Sequence, residues 1–153
     1  MKIYRISNIT YYHGSYDDLP IGTILTPEKG NFVNTIQDFE MDSHFKLEQF
    51  RPSGYISRNN AVYMCDNPDE VDLAGGANDH IYIVEPLGVV ERHDLNWMTE
   101  MDLIMDKYFN QGNPDDAVEE VENAALNYWN GVPHYNESVW EYLTTAAKII
   151  NAI

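Results

Sequence analysis

The chain has 153 residues, 25 Asp and Glu against 9 Lys and Arg, and a net charge of −16. A domain of this length typically buries roughly 70% of its unfolded surface, and 44% hydrophobic with 12% aromatic residues is too rich for a disordered acidic tail. No apolar run approaches the roughly 20 residues that cross a bilayer. The start MKIYRISNITYYHG lacks the apolar stretch of a signal peptide, and Cys65 is the only cysteine, so the expectation is one cytoplasmic globular domain.

In chain order, IYRISNITYY at 3–12 has the Ile, Tyr and Thr content of one or two short strands, which His13-Gly14-Ser15 is expected to end. LPIGTILTP at 19–27 reads as a turn, a short strand and a stop at Pro27. Residues 28–54 are polar and aperiodic, a long loop with one helical turn. AVYMC at 61–65 is an apolar strand, and NPDEVDLAGG at 67–76 is a short helix opened by Pro68 and closed by Gly75-Gly76. HIYIVEP at 80–86 carries the strongest strand pattern, and GVVERHD at 88–94 is its continuation or a new strand.

The second half changes period. Met98, Met101, Leu103, Ile104, Met105 and Tyr108 recur as on a helix, with the methionines assigned to the core. Asn113-Pro114-Asp115-Asp116 is a helix start, followed by the stripe Ala117, Val121, Ala124, Ala125, Tyr128 and a stop at Asn130-Gly131. SVWEYLTTAAKII at 138–150 returns to strand character, with a helix from Ala146 as the alternative. The pattern predicts an α+β domain with strands early and last and helices between.

The charge excludes more than it assigns. The nine cations are spread along the chain with no basic cluster, which counts against nucleic acid and anionic membranes as partners. The acidic surface is either a solubilising coat or itself a ligand for a basic protein. The five histidines show no metal-ligand spacing, Cys65 lies in an apolar strand as a packed thiol, and no phosphate-binding glycine loop precedes a helix, so no metal is expected.

Three short strings, in order, point further. Tyr11-Tyr12-His13-Gly14-Ser15 with the following turn and strand, Asn60-Ala61-Val62-Tyr63-Met64, and Ile81-Tyr82-Ile83-Val84-Glu85-Pro86-Leu87-Gly88 resemble motifs of the small rifampin ADP-ribosyltransferase group. Val139-Trp140-Glu141-Tyr142-Leu143 looks like the Glu-bearing strand of the His-Tyr-Glu, diphtheria-toxin-like class of the same enzymes. The resemblance implies an ADP-ribosyltransferase-like domain of split β-sheets around a central cleft, here with a helical insert at about 98–131. That insert replaces a more irregular stretch. The acidic pair that follows the Glu-Pro-x-Gly strand in the rifampin group is here Glu91-Arg92-His93-Asp94, so drug-modifying specificity is not carried over.

What the resemblance implies for chemistry is NAD as substrate, no metal, and transfer of ADP-ribose to an unidentified acceptor, a protein or a small molecule. Cleaving the nicotinamide–ribose bond passes through an oxocarbenium-like state, which a carboxylate stabilises. That role falls to Glu141. His13 would bond the adenosine-side ribose, Gly14 would offer its backbone to the nicotinamide amide with Ser15 beside it, and Tyr63 would stack on the nicotinamide. Glu91 and Asp94 are the reserve carboxylates.

Blander readings stand beside these: His13 satisfying local backbone, Tyr63 an ordinary strand aromatic, Glu141 an exposed acid on the face opposite Trp140 and Tyr142. The alternative function is a non-catalytic acidic interaction or inhibitor protein on the same scaffold, DNA-mimic-like, with Asp115, Asp116, Glu119, Glu120 and Glu122 on one acidic helix. One NAD must touch His13, Tyr63 and Glu141, so they are expected to converge on an open, partly apolar cleft bordered by residues 28–54. A side chain filling that cleft, with neither reserve carboxylate reaching it, would favour the interaction protein.

Overall fold

The structure, a computed structural model, describes residues 9–30, 42–112 and 117–153. Its elements are β1 (Tyr11–Ser15), β2 (Ile24–Leu25), α1 (Pro27–Gly30), α2 (Asp42–Gln49), β3 (Val62–Met64), β4 (His80–Pro86), β5 (Glu91–Asp94), α3 (Asn96–Gln111), α4 (Val118–Trp129), β6 (Trp140–Thr144) and β7 (Ala147–Ala152). The class is α+β with antiparallel sheets. One sheet runs β1-β4-β7-β2 and the other β3-β6-β5. A single bridge, Tyr12 to Cys65, ties β1 to β3 and so joins the two sheets at one seam.

The inner face of the larger sheet offers Tyr11, Val84 and Ile149, which pack on Val62, Met64 and Tyr142 from the smaller one. The Tyr11 and Tyr142 rings meet edge to face at 5.1 Å. This apolar layer fills the space between the sheets, so the open central cleft expected there is not present among the described residues. The other face of the smaller sheet is roofed by α2, α3 and α4. Their core gathers Leu47, Trp97, Met101, Val121, Ala125, Tyr128 and Trp129, with Met98 and Met105 packed partly against it.

Several elements differ from expectation for identifiable reasons. His13-Gly14-Ser15 does not end a strand but lies within β1, which pairs with β4 from Tyr11↔Val84 through Ser15↔His80. Residues 28–54 are not a loop throughout. They include α1 and the two-turn α2, whose buried Ser43, His44 and Leu47 form one inward face that polar composition conceals; 31–41 lie outside the described residues. The helix expected at 67–76 is a short 3-10 turn at Pro68–Glu70, with the Asn67 side chain accepting from the Asp69 amide. Residues 138–150 make two strands in different sheets, not a helix from Ala146.

The insert does form, as α3 and α4. The helix start at Asn113–Asp116 lies outside the described residues, but Ala117, Val121, Ala124, Ala125 and Tyr128 are buried as the stripe requires. Gly131, at φ +69°, ends that run where a side chain would be strained.

Candidate functional site

Strand register determines which side chains share a face. Tyr63 pairs with Leu143, and Leu143 with Glu91, while Glu141 pairs with His93. Directly opposed residues project to the same side, so Tyr63, Glu91, His93 and Glu141 all rise from one face of the smaller sheet. Alternation places Glu141 opposite Trp140 and Tyr142, as expected. That face is not solvent but the underside of the helical roof, and Glu141 is fully buried.

The residue that gathers them belongs to none of the motifs in the sequence. Arg58 opens a 3-10 turn just before β3, and its guanidinium forms an ion pair with Glu141 Oε2. Nη1 also donates to the Tyr128 hydroxyl at 2.7 Å, and Tyr128 donates in turn to Glu141 Oε2 at 2.6 Å. Arg58 Nε donates to His44 Nδ1 at 3.2 Å. The guanidinium carbon lies 5.2 Å from the Tyr63 ring centre and 5.6 Å from that of Tyr128. Burial is the largest influence and works against the Arg58 charge, but Glu141, Tyr128 and Tyr63 together outweigh it and hold the group more firmly protonated than a free arginine. The other carboxylate oxygen, Glu141 Oε1, is buried with no hydrogen-bond partner.

His13 reaches the same region from the other sheet. Its Nδ1 lies 2.8 Å from the Tyr63 carbonyl oxygen, and an oxygen of that kind only accepts, so Nδ1 carries the proton and Nε2 is the acceptor. Burial depresses the His13 pKa against the opposing pull of that carbonyl. Tyr63 donates its hydroxyl to the Arg58 carbonyl, and burial raises its pKa despite the nearby guanidinium.

The fold thus brings His13 to Tyr63, and Tyr63 to Glu141 through Arg58. It does so in a closed arrangement. Arg58 lies over the Tyr63 ring that was expected to stack on a nicotinamide. Gly14 is covered as well: a Cβ on Gly76 would stand 2.9 Å from the Gly14 carbonyl oxygen, and the crevice bounded by Gly14, Tyr63, Cys65, Val71 and Gly76 has no room for a water molecule. Ser15 serves its own turn, accepting from the Asp17 amide at 3.0 Å.

Both reserve carboxylates are committed to structure. Asp94 accepts from the amides of Asn96, His134 and Val139, at 3.1, 2.8 and 3.1 Å, stapling three segments together. Glu91 accepts from the Ile56 amide with both oxygens and lies 3.1 Å from His93 Nε2, while His93 Nδ1 bonds the Tyr128 carbonyl. Residues 28–54 do border the site, through His44 and Glu48 of α2. Arg58, Tyr128, His44 and His93 were the residues missed, and no local signal marks them, since each finds its partners on a distant element.

Among the described residues no three His, Cys, Asp or Glu side chains gather to hold a metal ion, and no helix is long and apolar enough to cross a membrane. Compared with known proteins, the chain matches no family model and no curated protein.

Proposed function

We propose that the chain is an NAD-dependent mono-ADP-ribosyltransferase with an ADP-ribosyltransferase-like split-sheet fold, in which Glu141 is the catalytic carboxylate. The observation that carries this reading is Glu141 itself: a buried carboxylate with Oε2 committed to Arg58 and Tyr128 and Oε1 without a partner. An unpaired buried oxygen costs stability, and a ribose hydroxyl is a donor of the kind that would satisfy it. The three ordered motifs add support, since His13 bonds the Tyr63 carbonyl and Glu141, from the far end of the chain, meets the Arg58 guanidinium that lies over the Tyr63 ring.

In this reading the bond from ribose C1′ to the nicotinamide nitrogen breaks, and its electron pair leaves with nicotinamide, which becomes neutral. The acceptor's nucleophile, or water, supplies the pair for the new bond to C1′ and gives up its proton. Glu141 stabilises the positive charge that develops between those events. His13 Nε2 accepts from a ribose hydroxyl. The acceptor is a protein or a small molecule rather than nucleic acid, given the net charge of −16.

The test is nicotinamide release from NAD by wild type and by Glu141→Gln, which keeps the size and removes the charge. The variant is expected to be slower by about 100-fold or more. Equal release from both would remove Glu141 from the chemistry.

A second reading, a non-catalytic acidic protein that binds a basic partner, is favoured by a specific observation. Arg58 fills the space beside Tyr63 and Glu141, and both reserve carboxylates are engaged elsewhere. A complex with a basic protein that dissociates steeply with salt, formed by a chain that leaves NAD intact, would establish it in place of the first.

A further inference from the structure

From residue 51 to residue 60 the chain runs along the surface, with Ser53, Gly54, Asn59 and Asn60 exposed and the others half-buried except one. That one is Arg58, whose side chain is driven inward until only 2% of it remains accessible. Its guanidinium stands against Glu141 and over Tyr63, where the proposed reaction would develop a cationic ribose. A planar cation is therefore already in the place of the substrate's charge.

Two features distinguish this from a purely structural ion pair. A buried pair repays its desolvation only when the remaining lone pairs are satisfied, and Glu141 Oε1 is not. The segment carrying Arg58 meets the roof through one apolar contact, Tyr55 on Trp129, and is otherwise held by polar contacts. Glu48 of α2 accepts from the Arg58 amide at 2.6 Å and from Ser57 Oγ at 2.9 Å, and its other oxygen holds Arg51 Nε at 3.0 Å. Glu91 accepts from the Ile56 amide. Gly54, at φ +93°, gives the turn a bend within which the segment can swing.

We propose that Arg58 is an internal plug, that the arrangement described is a closed resting state, and that NAD enters when residues 51–60 withdraw from α2 by breaking the Glu48 cap. This rests on the transferase reading. Glu48 makes no hydrogen bond to Glu141, His13 or Tyr63 and reaches Tyr63 only through its charge, so it is the place to loosen the plug, with Ser57→Ala as the variant that leaves that charge unchanged.

The experiment follows amide hydrogen exchange of residues 55–60 and nicotinamide release together, in wild type, Glu48→Ala and Ser57→Ala, with and without NAD. Loss of one hydrogen bond to a charged group corresponds to about tenfold faster exchange or more, so Glu48→Ala, which removes contacts to Arg51, Ser57 and Arg58, should exchange at least about tenfold faster in this segment and release nicotinamide faster. Saturating NAD should speed exchange there in wild type as well. Ser57→Ala removes one contact to the same carboxylate and should shift both readouts the same way by less, which keeps the test alive if Glu48→Ala fails to fold. Faster exchange without faster turnover overturns the plug. So does turnover that depends on Glu141 while NAD leaves exchange unchanged, and in that case the transferase reading stands. If no variant releases nicotinamide and NAD alters exchange in none, both fall.

Discussion

His44 receives the Arg58 Nε hydrogen bond on Nδ1, so it must be neutral to do its work. Burial, with the Arg58 charge adding to it, lowers its pKa to about 3. A histidine in the unfolded chain titrates near 6.5, so between those values the unfolded state binds more protons. Stability is therefore full above about pH 6.5 and is lost as pH falls toward 3. His13, lowered by burial, contributes with the same sign. Thermal melts from pH 7 down to pH 4 should show a falling Tm, and His44→Gln, which keeps an acceptor but cannot take up a proton there, should flatten part of that slope. An unchanged slope would mean that His44 does not accept from Arg58. Cys65 illustrates the same effect at a thiol: burial pushes its pKa up to about 12, which leaves it the inert core residue its strand position suggested.

At the scale of elements, the β1 strand and the 3-10 turn with its following loop meet without side chains between them. A Cβ on Gly14 would fall on the Ala77 carbonyl, well inside contact distance, and one on Gly76 would strike the Gly14 backbone. Gly14 is thus required by a close approach of backbone to backbone and not by its own dihedral angles. Gly14→Ala must displace either the β1–β4 register or the loop, at a cost of about 1–3 kcal/mol, read as a lower denaturant midpoint. A neutral result would show that the loop does not rest on β1. The His-Gly pair was legible in the sequence as a motif, yet its place inside a strand was not. Glycine and serine weaken any local strand signal, and the pairing with β4 is decided by residues more than sixty positions away.

Taken as a whole molecule, the chain folds against its own charge. Among the described residues most acids face solvent, and only Glu91, Asp94 and Glu141 are buried outright and compensated. Self-repulsion at −16 opposes the compact state, and raising ionic strength from ~0.01 M to ~0.15 M shortens the screening length from about 30 to 8 Å. Tm is expected to rise over that interval. Buried pairs such as Arg58–Glu141 are screened far less, so a fall in Tm would mean that attractive surface pairs outweigh the net repulsion.

The sequence by itself determined the α+β class, the strands at 61–65 and 80–86, both helices of the second half with their apolar stripes, and the face of β6 on which Glu141 lies. These are properties of periodicity, readable from neighbours along the chain. Only the tertiary structure decided that the site is closed. Arg58 sits in a polar, turn-like stretch of sequence, indistinguishable there from a solvated arginine. It is buried because Glu141, Tyr128 and His44, from a strand and two helices, jointly offset the cost of taking its charge out of water. The two reserve carboxylates were likewise claimed by amides of remote segments. Compensation of a buried charge depends on groups that converge in space, and no spacing along the chain encodes that.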